Sequence, residues 1–110
     1  MLADFRLYLT TCGSRAIADR LAGSLVERRL AACVSVLPGV SSTYRWGGKI
    51  ERADEVLVII KSSRDAMQAI EDMIRNISGY ELPELLAIDI AAGSTDYLAW
   101  LGQSLSETQS

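Results

Sequence analysis

The chain has no histidine, which removes the commonest general base, the Ser-His and Cys-His nucleophile pairs and the usual imidazole ligands of transition metals. Most familiar catalytic arrangements go with it. Cysteine is scarce too: Cys12 and Cys33 are too few for a disulfide framework and lack metal-type spacing, so reduced thiols and a cytoplasmic location are expected. Apolar runs such as Val56 to Ile60 are far too short to cross a bilayer, and the first residues lack the basic start, apolar stretch and small-residue cleavage site of a secretory leader. Positive charge is in short supply, 11 Lys and Arg against 14 Asp and Glu. No concentrated basic stripe is present, so neither nucleic acid nor a membrane is expected as a partner. No glycine cluster has phosphate-loop or dinucleotide-fingerprint spacing, because Gly47-Gly48 falls between two strand patterns rather than at the start of a helix.

What the sequence has in excess is strand. A β pattern runs from about Ala32 to Lys61, broken only at Gly47-Gly48. Each arm is about fourteen residues, where five or six is usual, and at about 3.3 Å per residue it spans roughly 46 Å. A compact chain of this length, with a radius of gyration near 13 Å, is only about 34 Å across. The hairpin is therefore expected to overhang its own core and to leave unpaired backbone groups and half-covered apolar side chains, both unfavourable unless another chain covers them. An obligate oligomer follows before any activity is considered.

The 110 residues, 49% of them hydrophobic and 23% charged, fit one globular domain. It is expected over 1–105, with a frayed polar tail at 106–110. Residues 5–11 alternate as a half-buried strand, with Phe5, Leu7 and Leu9 on one face and Arg6, Tyr8 and Thr10 on the other. Ser14 can cap a helix that buries Ile17, Leu21 and Leu25 and ends near Arg29. In the second strand Ala32, Val34, Val36, Val40, Tyr44 and Trp46 share the even positions, and Pro38-Gly39 suggests a bulge or bend. The third strand becomes apolar on both faces after Val56. Ser62 and Asp65 have capping-box spacing ahead of a second helix bearing Ala66, Ile70, Met73, Ile74 and Ile77. A fourth strand is expected from about Glu84 to Ala91, and a third helix after a cap at Ser94 or Thr95. The order is βαββαβ plus a helix: an α+β, ferredoxin-like sandwich with a long β2–β3 hairpin. Its helix-free face carries apolar residues and is expected to be buried between subunits.

Candidate functional residues stand at element ends: Tyr44, Trp46, Lys49, Glu51, Lys61, Tyr80, Glu81, Glu84, Tyr97 and Trp100. Singly they read as packed aromatics and solvated charges. Tyr80-Glu81-Leu82-Pro83-Glu84 is more unusual, since Pro83 fixes the entry to the fourth strand and sets Glu84 where it could meet Lys61 or Lys49. Cys12, at the end of strand one, reads first as an unremarkable thiol; the alternative is exposure near a helix amino terminus, where a depressed pKa would suit a soft-metal ligand or redox chemistry. Cys33 is read as a small packed residue.

Taken together, Leu9-Thr10-Thr11-Cys12, Leu30-Ala31-Ala32-Cys33-Val34, Tyr44-Arg45-Trp46-Gly47-Gly48-Lys49-Ile50, Glu55-Val56 with Lys61, Tyr80-Glu81-Leu82-Pro83-Glu84 and Asp96-Tyr97-Leu98-Ala99-Trp100 resemble the CutA family of divalent-cation tolerance proteins across nearly the whole chain. The resemblance implies a homotrimer of PII-like architecture, with long hairpins paired across subunits and the motif residues gathered in a cleft between them. It also implies copper or other divalent cations at a first-strand cysteine and at histidines just before Tyr-x-x-Pro-Glu. Here those preceding positions are Ile77, Ser78 and Gly79, and Thr10 aligns with the cysteine. The imidazole site is missing, so copper binding is expected to be weaker or differently placed, with Cys12 and carboxylates, and no cofactor is obligatory.

Three functions compete on these residues. The first is a non-catalytic trimer that binds a metal ion or small anionic ligand in its inter-subunit cleft, with Lys49 and Lys61 supplying charge. A structural trimer presenting a protein-binding surface is the second. The third, an acylphosphatase-like hydrolase, would need Arg15 as phosphate cradle and Asn76 to place water, but the glycine-rich phosphate loop is absent.

Overall fold

The structure, a computed structural model, describes residues 4–106. The expected tail lies outside them apart from Ser106. Helix α1 (Arg15–Glu27) begins as expected, with the Ser14 side chain accepting from the Ile17 N–H at 3.2 Å. It closes in a Schellman arrangement: the Arg29 N–H bonds the Val26 carbonyl at 3.0 Å and the Leu30 N–H bonds the Leu25 carbonyl at 2.9 Å. That closure needs a left-handed residue, and Arg29 adopts it at φ 58°, a conformation that costs a residue with a Cβ roughly 1–2 kcal/mol. Its guanidinium bonds the Ser104 carbonyl at 3.0 Å, which ties the end of α1 to the last helix.

The strands are β1 (Phe5–Cys12), β2 (Cys33–Trp46), β3 (Lys49–Ser63) and β4 (Leu86–Asp89), joined in one antiparallel sheet of order β2-β3-β1-β4. Helix α2 (Met67–Ile77) follows a 3-10 turn at Arg64–Ala66, and α3 is Thr95–Leu105. This is the expected α+β, ferredoxin-like sandwich with an added helix. Ala18, Leu21 and Leu25 of α1 and Ile70, Met73 and Ile74 of α2 close over Tyr8, Cys12, Val56, Val58 and Ile60.

Three expectations need correction. In β1 the fully buried side chains are Tyr8, Thr10 and Cys12, while Phe5, Leu7 and Leu9 are only half-buried on the other face. The polar pair is buried because its hydroxyls are satisfied: Tyr8 donates to the Ser63 carbonyl at 2.7 Å and Thr10 to the Glu84 carbonyl at 2.6 Å. Ser62 caps no helix. It is buried in β3 and donates to the Leu30 carbonyl, and Ser63 stands at the start of the following turn without a side-chain cap. Strand β4 is shorter than the expected 84–91, because Pro83 has no N–H and the Thr10 hydroxyl takes the Glu84 carbonyl that a ladder would use.

The bulge at Pro38-Gly39 has the larger consequence. Leu37 pairs with Leu57 and Val40 with Glu55, so β2 advances one residue more than β3. Side-chain parity reverses there. Val34 and Val36 pair with Ile60 and Val58 on the core face, whereas Tyr44 and Trp46 pair with Glu51 and Lys49 on the opposite one. The even positions of β2 therefore do not share a face along its whole length.

That opposite face also carries Leu7, Leu9, Leu57 and Ile59, with Leu86 and Ile88 of β4 paired to Leu9 and Leu7. Helix α3 covers only one end of it, where a Cβ on Gly102 would stand in ordinary contact with the Phe5 ring at 3.4 Å. Leu86 and Ile88 remain 56% and 47% exposed. The hairpin gives the chain extents of 47 × 27 × 23 Å and a radius of gyration of 14.8 Å, larger than a compact domain of this length.

Candidate functional site

The parity reversal builds a groove. Past the bulge, Ser42, Tyr44 and Trp46 stand on the same face as Ala53 and Glu55, and Thr11 of β1 comes next along that face. After α2, Gly79 turns the chain at φ 75°, open to glycine at little cost, and Tyr80 lies against Gly13. A Cβ on Gly13 would stand 3.4 Å from the Tyr80 hydroxyl. The Thr10 bond to the Glu84 carbonyl then pins the far end of the Tyr80–Glu84 segment. The result is a half-open groove of about 760 Å³, walled by Tyr44, Trp46, Tyr80 and Leu82 and carrying the carboxylates of Glu55, Glu81 and Glu84.

Glu55 is its electrostatic centre. Burial works to raise its pKa, but hydrogen bonds from Ser42, Tyr80 and Thr11 outweigh that and hold the carboxyl below the usual carboxylate range. The Tyr80 hydroxyl donates to Glu55 Oε2 at 2.9 Å. Burial and that bond to an anion push the Tyr80 phenol up to about 12. Glu84 moves the other way from Glu55, raised by burial and by the neighbouring Glu55 charge. A carboxylate held in its charged form thus sits near one that takes up a proton more readily.

The expected site residues are divided by the structure. Tyr44, Trp46, Tyr80 and Glu84 line the groove. Lys61, Tyr97 and Trp100 form a second group under α3: Lys61 Nζ donates to the Tyr97 hydroxyl at 3.4 Å and lies 5.7 Å from the ring centroid, and the Tyr97 and Trp100 rings stand 5.4 Å apart. Lys49 and Glu51 sit exposed at the hairpin tip, paired in register with Trp46 and Tyr44. Glu84 meets neither Lys61 nor Lys49, since no ion pair joins them among the described residues. Glu55 and Thr11, which organise the groove with Ser42, fall within the family motifs but not among the candidate residues at element ends, and Ser42 falls in neither. The bulge at Pro38-Gly39 was the signal that could have found Ser42, had its effect on parity been followed along β2.

Cys12 departs furthest from expectation. Its side chain is fully buried in the core rather than exposed at a helix amino terminus, and burial with the nearby Glu55 charge raises the thiol pKa. Such a thiol is a poor metal ligand. No group of three or more Cys, Asp or Glu is placed to hold a metal ion among the described residues. The described side chains of a single chain therefore do not form a three-ligand metal site. Among the described residues no helix is long and apolar enough to cross a membrane.

The profile of the CutA1 divalent ion tolerance protein family matches residues 6–104. The chain belongs to the CutA family. It is 45% identical over 104 residues to the divalent-cation tolerance protein CutA of Pectobacterium atrosepticum, covering 94% of each chain. The human protein CutA is 40% identical over 93 residues, 84% of this chain, and is longer, so that the match spans only 52% of it. Among solved structures, CutA from Xylella fastidiosa superposes with a TM-score of 0.91 at 36% identity, covering 94% of this chain and 100% of the other. The Pectobacterium relative is named as a tolerance protein rather than an enzyme. Arg15 of the acylphosphatase alternative is bound to Asp19 at 3.0 Å and does not line the depression that Asn76 lines.

Proposed function

We propose that this CutA chain acts as a non-catalytic homotrimer in the response to divalent metal ions, with a small ligand or exchangeable cation held in clefts between subunits. The observation that carries this reading is the division of the motif residues. Glu55 and Lys61 lie on one face of β3, about 20 Å apart at 3.3 Å per residue, each with its own aromatic partners. No motion within one chain brings them together. A second copy laid along the sheet can, and the same copy would cover Leu86 and Ile88, the overhanging hairpin and the two open sheet edges.

Copper and related cations enter this reading as weakly held, exchangeable cargo that meets Glu55, Glu81 and Glu84 rather than the buried Cys12. Native mass spectrometry of protein taken directly from cells reports subunit number and retained ligand together, and three copies are expected. A folded single copy at micromolar concentration would overturn the assembly. For the metal half, copper titration of the purified trimer should give weak binding that survives Cys12→Ser and is lost in Glu55→Gln/Glu84→Gln. Tight binding abolished by Cys12→Ser would refute the placement. The cytoplasm remains the proposed compartment, on the two unpaired thiols, and cell fractionation tests it.

A further inference from the structure

On the helical side, away from the acidic groove, α1 and α2 leave a second depression of about 410 Å³. Arg20, Ser24 and Arg28 line it from α1, spaced four residues apart and hence on one stripe of the helix. Asn76 and Asp72 line it from α2, and Leu30 contributes apolar surface. The arginines differ from most others in the chain. Arg6, Arg15, Arg64 and Arg75 are each committed to a carboxylate, whereas Arg20 and Arg28 make no ion pair and no side-chain hydrogen bond among the described residues. Asp72, the one carboxylate of the depression, already accepts from Gln68 Nε2 at 3.0 Å. In a chain of net charge −3, a concavity with two uncommitted guanidinium groups, a hydroxyl and a carboxamide is an exception to the overall charge.

We infer that this groove binds a small organic polyphosphate. Guanidinium groups match phosphate oxygens in two-pronged geometry, and Arg20 and Arg28, eight residues apart, have Cα atoms about 12 Å apart along the helix axis. That span suits a chain of phosphates better than a single one. Ser24 lies between them, able to donate to a middle phosphate, Asn76 offers an amide across the groove, and Leu30 gives an organic body somewhere to rest. Asp72 weakens the site and sets a limit on its affinity.

The test is isothermal titration of the intact protein at low ionic strength with ATP as probe and tripolyphosphate as competitor. Saturable binding of one ATP per chain is expected, displaced by tripolyphosphate and weakened by salt. Arg20→Ala/Arg28→Ala should reduce affinity by about tenfold or more, Asp72→Asn should improve it, and Arg75→Ala, which removes the same charge outside the groove, should change it by less than about twofold. Both arginines are exposed, and an unchanged circular dichroism melt will show that the double variant is folded. Absence of saturable ATP binding at millimolar concentration, or binding that is indifferent to the double substitution, would overturn the assignment.

Discussion

The half of β3 from Val56 to Ser62 is flanked by β1 and β2, whereas the half from Lys49 to Glu55 pairs with β2 alone, and the two occupy different surroundings. In the first half every second side chain is buried by the chain's own helices. In the second none is, and Ile50 is left 55% exposed. What separates them is the reach of β1, whose ladder with β3 ends at Val56, and of α1 and α2, which cover the sheet over Val56, Val58 and Ile60. Strand propensity therefore carries the ladder far beyond the region that this chain can bury. The hydrophobic core stabilises one end, and the other end lies beyond it.

The contrast can be broken first at the core. Leu25→Ala empties a fully buried site between α1 and the sheet, and a loss of about 2–5 kcal/mol per chain is expected in urea unfolding, at every protein concentration. Trp46→Ala at the hairpin end should behave differently, leaving the helical circular dichroism intact while shifting the melting temperature in a concentration-dependent way, as the association it supports is weakened. A Trp46→Ala protein whose melting is independent of concentration and equal to the parent's would show that the overhanging half needs no partner.

A smaller and sharper difference lies in pH. Tyr80 is raised from 10.0 to about 12, so the folded chain retains a proton that the unfolded chain has lost. Stability from this group is complete below pH 10 and falls as pH rises toward about 12. Glu55 has the opposite sign: its folded pKa is depressed, and its contribution, present above the unfolded carboxylate value, is lost as pH falls through the folded one. Tyr80→Phe should flatten the alkaline limb relative to the parent and, by removing a donor to Glu55, move the acid limb to higher pH. Parallel alkaline limbs for the two proteins would refute the placement of the phenol.

Particular residues show how far sequence reading could go. The overhang was legible because arm length multiplied by rise per residue needs no tertiary information, and Ser14 and Ser94 were legible as caps because capping is local. Tyr8 and Thr10 were misplaced because a buried hydroxyl reads as polar in any periodicity, and only its distant acceptors, the Ser63 and Glu84 carbonyls, make burial tolerable. Ser62 failed as a cap for the same reason. Tyr44 and Trp46 lie on the face opposite to Val34 and Val36, because a single inserted residue at the bulge reverses parity for everything beyond it.

Sequence by itself determined the order of elements, the ferredoxin-like class, the long hairpin and the family, since these rest on periodicity, local turn chemistry and motifs read along the chain. Only the tertiary structure decided that Cys12 is sealed in the core, that Glu55 gathers Thr11, Ser42 and Tyr80, and that Lys61 stands apart with Tyr97. Those facts depend on strand register and on which face a helix covers, where contacts join residues tens of positions apart and one step of register moves a side chain from water to the interior.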